Sequence, residues 1–230
     1  MNARTPVEEA AARPAFGGVP AEVSRSLIVP IYRNQENIPA LIEALEDLNR
    51  RAATAIEVVF VIDGSPDQSG ELLTAARASF SFPYQILFHS RNFGAFVAIR
   101  TGLEHARGRH VAVMAADLQE PPELILEFFS ILESGTADVV FGERVSRHDD
   151  WVRDILSGGF WWVYRKLVIK DIPKGGADIF ACNQAVLSAV LQIEEPNSSL
   201  IAQLFWVGFR RSFVPYNRRA REHGKSAWSL

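Results

Sequence analysis

The sequence contains a single cysteine and lacks both a long apolar run and a strong excess of charge. Cys182 is the one cysteine among 230 residues, so an internal disulfide or a zinc site of several cysteines is excluded, and a reducing cytoplasm is the simplest compartment. Lys and Arg total 24 against 27 Asp and Glu, and the net charge of -3 excludes a polycation built for nucleic acid. No stretch reaches the roughly 18 apolar residues of a membrane span, so we expect no crossing of a bilayer, although the chain could rest on one.

The composition is that of an ordinary folded domain. Apolar residues make up 48% and charged residues 22%, which argues against extensive disorder. Residues 1–24 differ, because Glu8, Glu9 and Arg13 interrupt the apolar core that a signal peptide needs. We expect a flexible N-terminal tail over residues 1–24 and a folded domain over 25–230.

Apolar segments of two periodicities alternate along the chain. Short continuous runs predict buried strands at 26–31, 57–62, 84–89, 110–115 and 138–142. Helical spacing lies between them, at 37–51, 71–80, 93–107 and from 121 to about 133. This alternation predicts an α/β fold with a mostly parallel central sheet and helices on both faces. After residue 143 the pattern weakens, and we expect helices at 160–169, 184–191 and 199–207 and strands at 179–182 and 211–216.

Polar residues follow three of the predicted strands at their carboxyl ends. The three clusters are Asp63-Gly64-Ser65, Ser90-Arg91-Asn92 and Asp117-Leu118-Gln119. In a parallel sheet these ends meet at one edge, where ligands bind, so one crevice is expected to gather all three clusters.

Four side chains of these clusters are candidates for chemistry. Asp117 and Gln119 stand two residues apart, so both oxygens could face one hard cation such as Mg²⁺ or Mn²⁺; the alternative is a helix N-cap. Asp63 could accept hydrogen bonds from a sugar hydroxyl or a base N–H, or bond within its own turn. Arg91 offers the planar donors that suit phosphate, or is a solvated surface charge.

Two later segments are rich in arginine. Residues 143–153 contain Arg144, Arg147 and Arg153, which Glu143, Asp149 and Asp150 offset. Residues 209–225 contain Arg210, Arg211, Arg218, Arg219, Arg221 and Lys225 against Glu222 alone. Such an excess attracts phosphate groups or an anionic membrane surface, and the alternative is a solvated strand and turn. Aromatic residues do not alternate with these arginines, so no nucleic acid is expected as a partner.

Taken in order, several motifs resemble the family 2 glycosyltransferases. They read VPIYRNQENIPALIEAL, FVIDGSPDQS, SRNFGAFVAIRTGLEHARG, AADLQEPPEL and FGER, and the resemblance covers about residues 26–228. The branch that makes dolichyl- or polyprenyl-phosphate sugars is the most similar. The resemblance implies a GT-A (Rossmann-like) fold, a UDP- or GDP-sugar donor, and Mg²⁺ or Mn²⁺. It also implies a nucleotide-sugar half at about 25–142 and an acceptor half at about 143–230.

The resemblance also implies roles for individual residues. On the donor side these are Pro30, Tyr32, Asp63, Arg91, Asp117, Arg218, Arg221 and Lys225. The metal ligands are Asp117 and Gln119, and the residues that hold the acceptor phosphate are Arg144, Arg153 and Ser157. Asp117 and Asp178 are the implied catalytic residues.

The implied reaction is an inverting transfer of a sugar to a polyprenyl phosphate. Asp178 would orient such an acceptor, and it would be the general base if the acceptor were a hydroxyl. Two alternatives stay open: a polysaccharide or O-antigen glycosyltransferase acting on a sugar hydroxyl, and a catalytically silent nucleotide-sugar binding module. Ala115 and Ile62 favour the silent module, because each stands where the family has an aspartate.

The expected location is cytoplasmic and peripheral, at the inner face of the membrane. A polyprenyl acceptor carries its phosphate at the membrane surface, so the enzyme must dock there. We expect the natural protein to continue past Leu230 into C-terminal membrane helices. A homo-oligomer is left open.

Overall fold

The structure is a computed structural model that describes residues 15–17, 23–145, 177–195 and 199–219. For residues 15–17, 177 and 178 it describes the backbone alone. The helix expected at 160–169 lies outside the described residues.

The described elements alternate between strands and helices in the first part of the chain. The strands are β1 Ala15–Gly17, β2 Arg25–Ile31, β3 Ile56–Ile62, β4 Tyr84–Phe88, β5 His110–Val113, β6 Val139–Arg144, β7 Ala177–Asn183 and β8 Arg211–Tyr216. The helices are α1 Ile38–Arg51, α2 Ser69–Ala76, α3 Ala95–His105, α4 Glu123–Glu133, α5 Gln184–Leu191 and α6 Leu200–Trp206, with a 3₁₀ turn at Arg77–Ser79. Most predicted elements agree within a few residues, and the bounds of α5 and β8 agree fully.

All the described strands form one sheet in the order β1-β4-β3-β2-β5-β7-β6-β8. Strands β4, β3, β2 and β5 pair in parallel, and β8 is parallel to β6. Strand β7 runs antiparallel to both β5 and β6, so β6 and β8 share the direction of β5. The predicted mostly parallel sheet is therefore confirmed. The carboxyl ends of β2, β3, β4, β5, β6 and β8 consequently meet at one edge, the upper edge.

Helices cover both faces of this sheet, as the alternation predicted. One buried cluster contains the apolar side chains of α1, α2 and α4, and the other contains those of α3, α5 and α6. Strand β3 contributes to both, because Val58 and Phe60 point to one face and Val59 and Val61 to the other. A strand buried on both faces must be apolar throughout, which explains the run EVVFVI.

Strand β1 was not anticipated, because residues 15–17 fall in the segment expected to be a solvated tail. Its backbone pairs antiparallel with β4, with Phe16 opposite Gln85. Alternation of polar and apolar residues is too short to detect over three residues, so no periodicity could indicate this strand.

The lower edge of the sheet is held by a buried glutamate, Glu57 of β3. One carboxylate oxygen accepts hydrogen bonds from Ser26 Oγ at 2.6 Å and from the Arg107 N–H at 3.1 Å, and the other accepts from Gln85 Nε2 at 2.8 Å. A buried charge is tolerated only when its hydrogen bonds are satisfied, and here they are. This network joins three neighbouring strands to the turn before β5, at the edge opposite the polar clusters.

Among the residues that the structure describes, no helix is both long enough and apolar enough to span a bilayer.

We predict that Gly102→Ala destabilises the domain, although alanine ordinarily stabilises a helix interior by about 1 kcal/mol relative to glycine. Gly102 lies in α3 against β2, and a Cβ there would lie 2.4 Å from Ile28 Cγ2. We expect a loss of about 1–3 kcal/mol in the free energy of unfolding, measured in urea. In an Ile28→Ala background the same substitution should cost nothing; an equal loss in both backgrounds would show that the contact is not the cause.

Candidate active site

The loop after β2 and the loop after β3 are tied together at the upper edge. The N–H of Asn34 donates to Ser69 Oγ at 3.1 Å, and the N–H of Gln35 donates to Asp67 Oδ2 at 3.1 Å. Partial burial raises the pKa of Asp67, but hydrogen bonds from Ser65, Ser69 and the Gln35 N–H outweigh it, and the net shift is downward. The carboxylate is therefore held in its ionised form as a fixed link between the two loops.

Pro30 lies near the end of β2, and Tyr32 directly follows β2 at the start of its loop; both are half-buried. The exposed guanidinium of Arg33 lies 5.3 Å from the centre of the Tyr32 ring. This arrangement places a cation and an aromatic ring together beside the crevice.

Asp63, at the end of β3, is 2% exposed and its oxygens are engaged by the protein. Oδ1 accepts from the Phe93 N–H at 2.9 Å and Oδ2 from the Gly94 N–H at 2.8 Å. The Nδ1 of His89 lies 2.7 Å from Oδ1, and its Nε2 lies 3.0 Å from Thr101 Oγ1. The structure thus places Asp63 beneath the loop after β4 rather than within its own turn. Helix α3 begins at Ala95, two residues later than predicted, because the backbone of Gly94, with φ of +97°, lies outside the helical region.

Arg91 lies on the outside of the loop that Asp63 holds. Its guanidinium is 4.1 Å from the centre of the Phe93 ring and donates to the Asn92 carbonyl at 3.1 Å. Gly64, with φ of +56°, packs against this loop so closely that a Cβ would lie 2.2 Å from the Arg91 carbonyl carbon. The first two polar clusters are therefore in contact, in agreement with the expectation that the carboxyl ends of the parallel strands gather them at one edge.

The third cluster begins after β5 and contains the candidate metal ligands. Asp117 is half-buried, and Leu118 adopts φ of +53°, a conformation that costs a non-glycine residue about 1–3 kcal/mol. The N–H of Gln119 lies 3.4 Å from Asp117 Oδ1, so the backbone turns sharply and leaves both side chains at the upper edge. Strain of this kind persists only where surrounding contacts impose it.

Those contacts come from the segment after β8. The Arg219 N–H donates to the Gln119 carbonyl at 2.8 Å, and Gln119 Nε2 donates to the Arg219 carbonyl at 3.3 Å. We call this pair of hydrogen bonds the Gln119–Arg219 clamp. It brings Arg218 and Arg219 of the basic C-terminal segment to the candidate metal ligands.

Glu120, which the sequence analysis did not single out, is 1% exposed next to this clamp. Its Oε1 lies 3.7 Å from Arg218 Nε, and its Oε2 accepts no hydrogen bond from any residue in the described ranges. Burial raises the pKa of Glu120, and the charge of Asp117 raises it further, whereas Arg218 and Arg144 oppose the shift. Periodicity gives no signal for a buried acid in an irregular turn, so sequence reasoning had no means to find it.

Arg144, one of the residues that the resemblance implies for the acceptor phosphate, lies near Glu120 and opposes the burial that raises the pKa of this acid. It ends β6 and pairs in register with Tyr216 at the end of β8. Burial raises the pKa of Tyr216, as does the charge of Glu120, and Arg144 acts against both. One cluster of charged and polar side chains therefore contains Arg144, Tyr216, Glu120 and Arg218, and Asp117 lies beside it.

The basic C-terminal segment, residues 209–225, has less uncompensated positive charge than its sequence indicates. Arg210 makes two hydrogen bonds of 2.9 Å to the carboxylate of Asp138, and Arg219 NH2 lies 3.5 Å from Glu123 Oε2. Together with the Arg218–Glu120 pair, these contacts correct the expectation that Glu222 alone opposes the segment. The acidic partners lie 72 to 98 positions earlier in the chain, too far for charge patterning to reveal.

Several implied site residues lie outside the described side chains. They are Arg153, Ser157, Asp178, Arg221 and Lys225. Their roles stay predictions. Of the implied residues that are described, the structure brings Asp117, Gln119, Arg144 and Arg218 together, and Asp63 supports the loop that carries Arg91.

We predict that Asp63→Asn loosens the loop after β4. The amide can accept at only one atom, so a donor among Phe93, Gly94 and His89 loses its acceptor, at a cost of about 1–3 kcal/mol. Urea unfolding should show this loss, and amide hydrogen exchange at Gly94 should accelerate. Asp47→Asn, on the exposed face of α1, is the control and should change stability by less than about 0.5 kcal/mol. Equal behaviour of the two variants would contradict the role given to Asp63.

Comparison with known proteins shows the family of this chain. The family model described as Glycosyl transferase family 2 matches residues 26–192. CsbB of Bacillus subtilis, assigned to the glycosyltransferases by name, is 33% identical over 89% of this chain and 62% of its own length. The undecaprenyl-phosphate 4-deoxy-4-formamido-L-arabinose transferase of Yersinia pestis is 30% identical over the same shares, 89% and 62%. The chain thus spans less than two thirds of the length of these relatives.

A solved structure shows the fold. The mannosyltransferase PcManGT of Pyrobaculum calidifontis, in complex with GDP-Man and Mn²⁺, superimposes with a TM-score of 0.57 at 20% identity. The match covers 91% of this chain and 60% of the other. The fold is therefore the GT-A fold, and this chain belongs to glycosyl transferase family 2.

Proposed function

We propose that this domain transfers a sugar, with inversion, from a UDP- or GDP-sugar to a polyprenyl phosphate at the inner face of the membrane. The Gln119–Arg219 clamp is the observation that carries the proposal. It places the candidate metal ligands, Asp117 and Gln119, beside the guanidinium of Arg218 and near Arg144. A carboxylate and two guanidinium groups at one edge suit a reaction between two phosphorylated substrates. The similarity to a transferase named for undecaprenyl phosphate supports this acceptor.

The residues present fit a divalent cation, although with few protein ligands. Within the described ranges, no three His, Cys, Asp or Glu side chains cluster as a metal site, and Ala115 supplies no oxygen. Gln119 uses its amide nitrogen on the Arg219 carbonyl, which leaves its oxygen to act as a ligand. Asp117 and Gln119 would hold the ion, with donor phosphate oxygens completing its shell. When bound, Mg²⁺ or Mn²⁺ neutralises charge on the leaving diphosphate.

The protein's own residues supply the remaining charge and the positioning. Arg218, whose side chain is 33% exposed, reaches the crevice and would bind the donor diphosphate together with Arg221 and Lys225. Tyr32 and the loop that carries Arg91 would line the nucleotide side of the site. These contacts stabilise the diphosphate as it departs from the anomeric carbon.

The acceptor needs orientation more than deprotonation. A phosphate monoester has a second pKa near 6, so its oxygen is largely ionised at pH 7 and attacks without a strong base. Arg144 would hold this phosphate with Arg153 and Ser157, and Asp178 would orient it for in-line attack. The donor half at about 25–142 and the acceptor half at about 143–230 are part of the same proposal.

We expect Asp117→Asn to remove metal-dependent donor binding while the fold survives. Even outer partners of a metal ligand contribute 10–100-fold to affinity, so losing the carboxylate should weaken nucleotide binding on the order of 100-fold. Calorimetric titration of UDP and of GDP, with and without Mn²⁺, measures this effect, and Asp47→Asn serves as the control. Unchanged affinity in the presence of Mn²⁺ would remove Asp117 from the metal site.

The acceptor assignment predicts a selective effect of Arg144→Ala. With undecaprenyl phosphate as acceptor and a panel of UDP- and GDP-sugars as donors, the KM for the lipid phosphate should rise about tenfold, because a charge-assisted contact is lost. The KM for the donor should change less than twofold, and Arg77→Ala, at an exposed position, should change neither. Transfer to sugar hydroxyls but never to the lipid phosphate would refute the proposed acceptor.

A further inference from the structure

Glu120 is a buried acid at the rim of the crevice that the reaction described above does not use. Only 1% of the residue is exposed, yet Oε2 receives no hydrogen bond from the described part of the chain. A carboxylate in such a position is costly unless an opposite charge compensates it. A turn that only leads into Pro121 has no need of a buried acid, so the role of Glu120 depends on the group that faces it.

The compensating charge comes from Arg218. Oε1 of Glu120 lies 3.7 Å from Arg218 Nε, within ion-pair range but beyond an ordinary hydrogen bond. The Glu120 side chain is 2% exposed, whereas that of Arg218 is 33% exposed. The acid is therefore buried and the Arg218 side chain is one third exposed, so Glu120 attracts Arg218 while part of that side chain stays accessible to a ligand.

The backbone holds both partners in place. Arg218 directly precedes Arg219 and Glu120 directly follows Gln119, so the Gln119–Arg219 clamp fixes the two chain segments next to one another. With both backbones fixed, the pair needs only a side-chain rotamer to form. Arginine otherwise loses side-chain rotamer entropy when it orders around a ligand.

We propose that Glu120 is a positioning residue that holds the guanidinium of Arg218 beside Asp117, oriented for the diphosphate of the nucleotide-sugar donor. This inference rests on the proposed function, in which Arg218 binds that diphosphate. Glu120 itself does not touch the substrate. Its effect on donor affinity passes through Arg218, which distinguishes it from an acid that only stabilises the turn.

The neighbouring Glu123–Arg219 pair provides a matched control. It joins the same two segments at 3.5 Å, but both side chains are about half exposed. Screening by solvent makes such a pair weak. If general attraction between these segments were sufficient, the two pairs would behave alike.

The experiment is a double-mutant cycle on nucleotide binding. Affinities for UDP and GDP in the presence of Mn²⁺ are measured by calorimetry for wild type, Glu120→Gln, Arg218→Gln, the double variant and Glu123→Gln, at a temperature well below each unfolding midpoint. We expect Glu120→Gln to weaken binding of the nucleotide that wild type prefers by about tenfold. We expect the double variant to bind no more weakly than Arg218→Gln, and Glu123→Gln to stay within twofold of wild type.

Each outcome bears on the proposal in a defined way. Wild-type affinity in Glu120→Gln, or losses that multiply in the double variant, overturns the positioning role. A lowered unfolding midpoint with unchanged affinity assigns Glu120 to the turn alone and overturns it as well. If Glu120→Gln does not fold, Glu120→Asp replaces it in the cycle, and the same absence of further loss on Arg218→Gln is required. If wild type binds neither nucleotide, the proposed function fails first and this inference falls with it.

Discussion

Parallel pairing of β4, β3, β2 and β5 imposes a constraint on which the rest of the molecule depends. A strand that follows its neighbour in parallel must be reached by a crossover, and the helices of these crossovers cover the sheet. Because every such strand runs the same way, every strand ends at the same edge. Strands β6 and β8 join this direction through the antiparallel strand β7. Residues from distant parts of the chain therefore meet at the upper edge, where contacts between the loops then fix their positions.

The upper edge contains two kinds of contact with different purposes. Asp63 and Gly64 hold the loop after β4 in a single position, through a saturated carboxylate and a close backbone approach. Glu120 is a buried acid whose Oε2 accepts no hydrogen bond from the described residues; burial and the charge of Asp117 raise its pKa, and the charge of Arg218 opposes them. The first kind of contact gives the crevice its shape. The second kind gives it an electrostatic demand for cations, which suits a site that receives a metal and a diphosphate together.

A feature of this structure can be predicted from the sequence when the pattern that indicates it is local. Helix α5 and strand β8 have the predicted bounds because their apolar patterns are local. The meeting of Asp63-Gly64-Ser65 with Arg91 also follows from sequence, since both come at the carboxyl ends of predicted parallel strands, which meet at one edge. The burial of Glu120 and the pairing of Arg210 with Asp138 do not, because each depends on contacts between residues far apart in the chain. Net charge by segment therefore overstated how much of the basic stretch is available to an anionic surface.

The close approach of Gly64 to the loop after β4 bears on how the crevice responds to a nucleotide. A Cβ added at Gly64 would lie 2.2 Å from the Arg91 carbonyl carbon, so the loops after β3 and β4 are in direct backbone contact and neither can move toward the other. The loop after β2 is joined to the loop after β3 by hydrogen bonds from Asn34 and Gln35. A donor that bound at this side of the crevice, as proposed, would meet loops already held in place by these contacts, so the protein would lose little conformational entropy on binding.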